Sequence, residues 1–143
     1  MNKQAAIIDA NINRVGEGLR VIEDWARFYI SSYSLTGRLR EKRHNLWKTV
    51  KDKYPQIIKG RDSGEDILAS KKEGIRKQEV DIPKASFNRV KEGLRVLEEM
   101  GKLISPEAAY KFKNMRFEIY EIEKQFYNEY YGEEKKSKRI DNE

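Results

Sequence analysis

A long internal repeat constrains this chain more than any other feature. The stretch "ANINRVGEGLRVIEDWARF", residues 10–28, returns 75 positions later as "ASFNRVKEGLRVLEEMGKL", residues 85–103. Both copies space their apolar residues three and four positions apart, which is typical of an amphipathic helix. The predicted apolar seams are Ile12, Val15, Leu19, Ile22, Ala26 and Tyr29 in the first copy, and Phe87, Val90, Leu94, Leu97 and Ile104 in the second. The repeat therefore predicts two equivalent long helices.

A second predicted helix follows each copy. After the first copy, Ser34 is the expected N-cap of a helix that stops before Pro55. After the second copy, Ser105 and Pro106 should begin a last helix that ends near Tyr131. Each half of the chain thus reads as a helical hairpin.

The segment between the hairpins, residues 54–81, reads as a crossover linker. Its run from Ser63 to Asp66 has the pattern of a capping box, which predicts a short helix ending near Gly74. No useful run of alternating apolar and polar residues predicts a strand. The expected fold is all-α: a pseudo-twofold four-helix bundle of two duplicated helical hairpins, with a crossover linker that carries a short helix.

The length of 143 residues suits one domain. We expect a single all-helical domain over residues 1–131, with internal repeats at about 5–53 and 82–131. The tail, residues 132–143, carries four charges of each sign and is predicted to be disordered. The polar start and the lack of a long apolar run predict no secretory signal, no membrane span and a cytoplasmic location.

Positive charge is concentrated in one segment. The formal net charge is +6, and residues 38–61 contain nine basic residues against two acidic ones. Such a segment favours an anionic partner, either a phosphorylated metabolite, a nucleotide or RNA, although a solvated basic helix face is an equal alternative. The sequence has no Cys, which excludes a disulfide framework, a thiolate metal site and a cysteine nucleophile.

The repeat preserves polar residues as well as apolar ones. Two matching stripes run beside the apolar seams: Asn13, Glu17, Arg20, Asp24 and Arg27 in one copy, and Asn88, Glu92, Arg95, Glu99 and Lys102 in the other. Charge pairs on a helix surface contribute only about 0.2–0.5 kcal/mol each, so helix formation does not demand these residues. The stripes are therefore expected to face a shared polar interior.

Two interpretations of the repeated arginines stay open. Arg14 and Arg89 lie at the edge of the apolar arc, where a guanidinium needs a partner. Each Arg could pair with a Glu of the other repeat across the pseudo-twofold axis, in a buried network of Arg14, Glu23, Arg89 and Glu98. Alternatively, the stripes line a central cleft in which guanidiniums grip phosphates.

Several single residues also carry expectations. Gly18 and Gly93 interrupt strong helical patterns at a cost of about 1 kcal/mol each, which indicates close packing against another helix or a ligand. His44, the only histidine, reads as a surface or packing residue more readily than as a catalytic base. Trp25, Phe28 and Trp47 are expected in the core.

The standard phosphate-binding loops are absent, so arginines and helix ends would have to bind any phosphate. Four motifs occur in order: "IIDANINRVGEGLRVIEDWARF", "LREKRHNL", "GRDSGED" and "FNRVKEGLRVLEEMGKL...FKNMRFEIYEIEK". Over residues 7–124 the chain resembles the all-helical family of monofunctional hydroxymethylpyrimidine phosphate kinases of thiamine biosynthesis. That family commonly precedes a thiamine phosphate synthase barrel in the same chain. The linker follows the family pattern only loosely, and the sequence given leaves no room for the barrel.

The resemblance implies an ATP- and Mg²⁺-dependent phosphotransferase that converts 4-amino-5-hydroxymethyl-2-methylpyrimidine phosphate to the diphosphate. A separate thiamine phosphate synthase would be a possible partner, as would a second copy of the chain. The alternatives are a non-catalytic module that binds a thiamine precursor or docks on the synthase, and an RNA-binding helical domain. Nucleic acid is the less expected ligand.

The same resemblance suggests roles for particular residues. The expected catalytic residues are Arg20, Arg43, Arg61 and Arg95. The expected substrate- and phosphate-binding residues are Asn13, Arg14, Glu17, Asp24, His44, Asn88, Arg89, Glu92 and Arg116, with the Asn and Glu side chains reading the aminopyrimidine edge. Asp62 and Asp66 are expected magnesium ligands, although capping of the short linker helix is an equal alternative.

Overall fold

The computed structural model describes residues 2–61 and 63–142, and these contain helices and turns but no strand. The five α-helices are α1 (Asn2–Asp24), α2 (Tyr33–Val50), α3 (Tyr54–Ile58), α4 (Asp81–Gly101) and α5 (Pro106–Asn142). A π-helical segment, Trp25–Ile30, continues α1, and a 3₁₀ turn, Ser63–Glu65, lies in the linker. The prediction of an all-α bundle is confirmed. None of the described helices is both long and apolar enough to pass through a bilayer.

Helices α1 and α4 form the central pair, and α2 and α5 pack on them and on each other. A Cβ built on Gly18 would lie 2.7 Å from Cγ2 of Val90, and one built on Gly93 would lie 2.6 Å from Cγ2 of Val15. As residue numbers rise along α1 they fall along α4, so the pair is antiparallel. Gly18 contacts Val90, and the equivalent residue Gly93 contacts Val15, which is equivalent to Val90. Equivalent residues thus make the same contact in both directions, which is the pseudo-twofold symmetry that the repeat predicts.

Most of the predicted core is confirmed. Leu19 and Leu94, for example, have no exposed surface. Tyr29 and Phe28 are exceptions, being 42% and 70% exposed. The cause is the change of pitch at Trp25, because the wider π-helical turn rotates later positions away from an α-helical seam. Trp25 and Trp47 are half-buried against the core.

The helix ends differ from expectation in two places. Ser32 caps α2, since its Oγ accepts from the Leu35 N–H group at 3.2 Å, while Ser34 lies inside the helix. The predicted Ser105 cap of α5 is confirmed, with a bond from the Ala108 N–H group at 3.1 Å. The predicted end of that helix near Tyr131 is wrong, because α5 runs to Asn142.

Charge pairs favour the longer helix. In the segment predicted to be disordered, Lys136 lies 3.4 Å from Glu133 and Lys138 lies 3.5 Å from Glu134. These are helical spacings at which opposite charges favour the helix.

The linker also departs from the prediction. Pro55 does follow the end of α2, but it also occupies the first turn of the unexpected helix α3, where a proline is tolerated. The helix expected from Ser63 to Gly74 is a single 3₁₀ turn, and the described residues 63–79 that follow Arg61 are exposed. This segment contains few apolar residues, so it has little apolar surface to bury against the bundle.

Candidate functional site

A cavity of about 990 Å³ lies between α1, α2, α3 and the linker. We call it the first cavity. Asn13, Glu17, Arg61 and Asp66 were expected at a binding site, and all four line it. The other polar or aromatic lining residues are Asp9, Asn11, Trp47, Tyr54, Ser63 and Glu65.

An ion pair fixes the linker against α1 at this cavity. Arg61 donates from Nε and Nη2 to the two carboxylate oxygens of Asp9, each at 2.7 Å. Asn13 Nδ2 donates to Oδ1 of the same carboxylate at 3.2 Å, and Tyr54 Oη lies 3.3 Å from Arg61 Nη2. The hydrogen bond to Asp9 is the main reason that the pKa of Arg61 is raised.

Asp9 is the residue that sequence reasoning missed. Its side chain is only 6% exposed although it carries a charge. A signal was present, because Asp9 stands among apolar neighbours one helical turn before Asn13. The position 75 residues later is Lys84, so the second repeat has no equivalent carboxylate.

The remaining lining groups suit a flat, hydrogen-bonding ligand. Asn13 offers an amide and Glu17 an exposed carboxylate, which together can donate and accept. Trp47 packs edge-on against Tyr54, with ring centroids 5.1 Å apart. Aromatic walls with a few convergent polar groups are typical of ligand pockets.

Of the two expected magnesium ligands, the structure describes only Asp66. Asp62 lies outside the described residues. Asp66 Oδ1 accepts from the Leu68 N–H group at 2.9 Å, which is a local turn contact after the 3₁₀ segment and not the cap of a linker helix. Among the described residues there is no cluster of three or more side chains able to hold a metal ion. Asp66 and Glu65 do line the cavity, and Mg²⁺ commonly uses one or two carboxylates together with phosphate oxygens, so the donor set fits.

A smaller cavity of about 320 Å³ lies between α4 and α5. We call it the second cavity. Its lining is Asn88, Lys91, Glu92, Arg95, Arg116 and Tyr120. Four of these, Asn88, Glu92, Arg95 and Arg116, were expected site residues.

The two polar stripes therefore do not face a shared interior, and that prediction is wrong. Asn13 and Glu17 line the first cavity, whereas Asn88 and Glu92 line the second. The faces that α1 and α4 turn toward each other are closed by the glycine and valine contacts described above. Each stripe lies beside the second helix of its own hairpin instead.

The arginine network is also organised within each hairpin. Arg43 lies 3.1 Å from the buried Glu23, and Arg116 lies 3.2 Å from the buried Glu98. Arg95 lies 2.9 Å from the same Glu98. Pairing across the pseudo-twofold axis is thus wrong. Repeated glutamates hold the second helix of their own repeat.

Arg14 and Arg89 are exposed, contrary to the expectation that they need a buried partner. Arg14 donates to Asn11 Oδ1 at 3.1 Å. Their position at the edge of the apolar arc lets the long side chains reach water. Neither residue lines the first or the second cavity.

The other expected site residues lie on the surface or in pairs. Arg20 and Asp24 form a surface pair at 3.2 Å, and His44 is exposed. In the basic segment, Lys42 pairs with Glu118, and Arg43 and Arg61 pair as described. These pairs neutralise part of the charge that a nucleic-acid face would use.

Comparison with known protein families shows to which family the chain belongs. A model of the ThiD2 family matches residues 6–125. The chain belongs to the ThiD2 family. The relatives that the chain matches include proteins named thiamine-phosphate synthase. One from Nostoc sp. is 40% identical over 119 residues, covering 82% of this chain and 33% of the relative.

Two further relatives of that name show similar partial coverage. One from Synechococcus sp. is 35% identical over 140 residues, covering 96% of this chain and 39% of the relative. One from Rhodopirellula baltica is 35% identical over 119 residues, covering 80% of this chain and 32% of the relative. This chain thus spans about a third of the length of these relatives. No solved structure matches it.

Proposed function

We propose that this ThiD2 domain phosphorylates 4-amino-5-hydroxymethyl-2-methylpyrimidine phosphate, here called the pyrimidine phosphate, to its diphosphate at the expense of ATP. The proposal places the chain in thiamine biosynthesis, as the names of its relatives suggest. The observation that carries it is the first cavity, where an amide, a carboxylate, two aromatic rings and a guanidinium converge.

Residues of α1 would recognise the pyrimidine ring. The amino group and adjacent ring nitrogen of an aminopyrimidine need one acceptor and one donor. Glu17 can accept, and Asn13 Nδ2 would donate by exchanging one of its two bonds to Asp9 for the ligand. Asn13 is already oriented by its bond to Asp9. Trp47 would cover a face of the ring.

The reaction needs little base catalysis. An oxygen of the phosphate monoester, whose second pKa is about 6, attacks the γ-phosphorus of ATP and is already anionic at neutral pH. A new P–O bond forms as the bond from the γ-phosphorus to the β,γ-bridging oxygen breaks, and ADP leaves. The protein's task is therefore to position the two anions and offset their charge.

In the first cavity, Arg61 and a bound metal ion would together offset the negative charge of the phosphates. Arg61 is the one basic residue among its described lining groups, whereas Asp9, Glu17, Glu65 and Asp66 are acidic, and Asp9 is the one paired with Arg61. Such a balance suits a nucleotide that arrives with Mg²⁺, which Glu65 and Asp66 would hold together with phosphate oxygens. Bound Mg²⁺ would offset the charge of the phosphates. Arg61, whose Nε and Nη2 bond Asp9, would contact one phosphate through its Nη1 donors.

The test is to incubate purified protein with ATP, Mg²⁺ and the pyrimidine phosphate, and to follow ADP and the diphosphate by ³¹P NMR. Omitting each component in turn controls for ATP hydrolysis and contaminating kinases. Both products should form together in equal amounts. ATP left unconsumed by well-folded protein would exclude the kinase.

A second candidate is a non-catalytic module that binds the same pyrimidine or docks on a thiamine-phosphate synthase. The observation in its favour is that relatives bearing that name are about three times as long as the matched region. It predicts binding of the pyrimidine phosphate, or of the synthase, without ATP consumption.

A further inference from the structure

The second cavity repeats the chemistry of the first at equivalent positions. Asn88 and Glu92 stand 75 residues after Asn13 and Glu17, and both pairs line a cavity. When Arg116 is aligned with Arg43, Tyr120 falls opposite Trp47, and these two aromatic residues also line their respective cavities. An amide, a carboxylate and an aromatic ring are thus kept together in both halves, although helix packing requires none of them at an exposed groove.

The charge of the second cavity differs from that of the first. Its lining contains three basic residues, Lys91, Arg95 and Arg116, against the single acidic residue Glu92. The position equivalent to Lys91 in the first repeat is Gly16, so the second repeat has added a cation here. All three cations are paired with carboxylates of α4 and α5, namely Glu98, Glu99 and Glu123. An anionic ligand such as a phosphate would therefore share these cations with the carboxylates.

The three cations keep donors for such a ligand. Lys91 Nζ lies 2.9 Å from Glu123 and Arg95 Nη1 lies 2.9 Å from Glu98, but an ammonium has three donors and a guanidinium five. Arg116 Nε is buried without a hydrogen-bond partner in the part of the chain that the structure describes, so Glu98 does not satisfy this guanidinium fully. Tyr120 and Lys91 flank the same space, with Nζ 5.5 Å from the ring centroid.

We propose that the second cavity is a separate binding site for a small phosphorylated heterocycle with an aminopyrimidine edge. Asn88 and Glu92 would pair with the amino group and ring nitrogen, Tyr120 would cover the ring, and Lys91 and Arg95 would contact the phosphate. A volume of about 320 Å³ suits one ring with one phosphate, being near the lower limit of about 300 Å³ for ligand pockets. Adenine and the proposed substrate share this edge. The choice of ligands rests on the proposed function, whereas the site rests on the cavity.

The experiment titrates full-length protein with adenosine monophosphate and, separately, with the pyrimidine phosphate. The readout is the side-chain amide resonance of Asn88 in ¹⁵N-correlated NMR spectra, together with calorimetric affinity. We expect at least one probe to move that resonance saturably, and the probe that does so identifies the source of the ligand.

Arg95→Gln tests the phosphate contact, because its side chain is 57% exposed and its loss should spare the fold. We expect it to weaken the titration that moves Asn88 about tenfold, as for the loss of one hydrogen bond to a charged group. The matched control is Arg20→Gln, the equivalent position in the first repeat, which should leave that titration unchanged. Tyr120→Ala supplies a second test that removes no ion pair.

An Asn88 resonance that neither probe moves would overturn the proposal. Equal weakening by Arg95→Gln and Arg20→Gln would overturn it as well. The proposed function and the second site can be disproved independently. If the protein binds a probe at Asn88 but transfers no phosphate, only the proposed kinase activity is contradicted. Turnover with no response at Asn88 contradicts only the second site.

Discussion

Arg61 and Asp9 are joined by two parallel hydrogen bonds of 2.7 Å across 52 residues of sequence. The pair ties the exposed linker to the start of α1 and holds a guanidinium at the first cavity. Asp9 is buried, whereas the Arg61 side chain is 39% exposed and keeps donors free for a ligand. One ion pair thus contributes both to the structure of the linker and to the electrostatics of the cavity.

Replacing Asp9 with Asn should loosen the linker. The substitution removes the negative charge that both Arg61 bonds require, and because Arg61 is partly exposed we expect a loss of about 1 kcal/mol. Hydrogen exchange should accelerate in residues 63–69, while the amides of α4 exchange at nearly their usual rate. Asp24→Asn, which alters a surface pair on the same helix, is the control, and equal acceleration in that variant would contradict the role assigned to Asp9.

Replacing Gly18 with Ala should destabilise the bundle. The added Cβ would lie 2.7 Å from Val90 Cγ2 and 3.2 Å from the carbonyl oxygen of Ser86. Overpacking costs about 1–3 kcal/mol, which outweighs the gain of about 1 kcal/mol in helix propensity. Gly37→Ala in α2 meets no atom within 4 Å and should stabilise instead. Urea unfolding distinguishes the two variants by the sign of the change.

The buried glutamates should matter more to stability than their exposed neighbours. Glu98→Gln weakens contacts to both Arg95 and Arg116 and leaves the half-buried Arg116 without a charged partner. We expect a loss of about 3 kcal/mol, at the lower end of the range of about 3–5 kcal/mol for breaking a buried pair, because Arg95 is largely exposed. Glu99→Gln, at an exposed position, should change the free energy of unfolding by less than about 1 kcal/mol. Similar losses in thermal or urea unfolding would contradict the network.

Stability should fall at alkaline pH. Burial raises the pKa of Tyr127 from 10.0 to about 12, and burial also raises the pKa of Tyr130. A raised pKa in the folded state means that the stabilisation is full below pH 10 and is lost as the pH rises toward 12. Unfolding free energies measured across this window should decline less steeply for Tyr127→Phe than for the unaltered chain. Identical slopes would show that Tyr127 titrates alike in both states.

The sequence alone was sufficient to predict the two repeated helices, α1 and α4, and the residues at which they meet. Val15 and Val90, like Gly18 and Gly93, could be placed at a helix contact because helical periodicity determines which residues share a face. Periodicity also placed Asn13 and Glu17 on one stripe, and both do line the first cavity. These features depend on local geometry, which a single helix already contains.

Other features depend on contacts that periodicity does not reveal. A helical wheel gives the angle of Glu17 but not which neighbouring helix lies beside it, so the stripes were assigned to a shared interior. The Asp9 and Arg61 pair depends on the path of the linker, and the exposure of Phe28 depends on a change of helical pitch. Arg43 and Arg116 were expected at phosphates, yet they also hold their helices through Glu23 and Glu98.

The most direct test of the proposed reaction compares three proteins in one ³¹P NMR assay with ATP, Mg²⁺ and the pyrimidine phosphate. The unaltered chain should produce ADP and the pyrimidine diphosphate in equal amounts. Arg61→Gln should lower kcat/KM by about tenfold to a hundredfold, since it removes a charged contact worth about 1.5–3 kcal/mol. Lys59→Gln, which removes a nearby linker charge outside the first cavity, should leave the rate unchanged. Folded protein that forms neither product, or an Arg61→Gln variant as active as Lys59→Gln, would contradict the assignment of phosphoryl transfer to the first cavity.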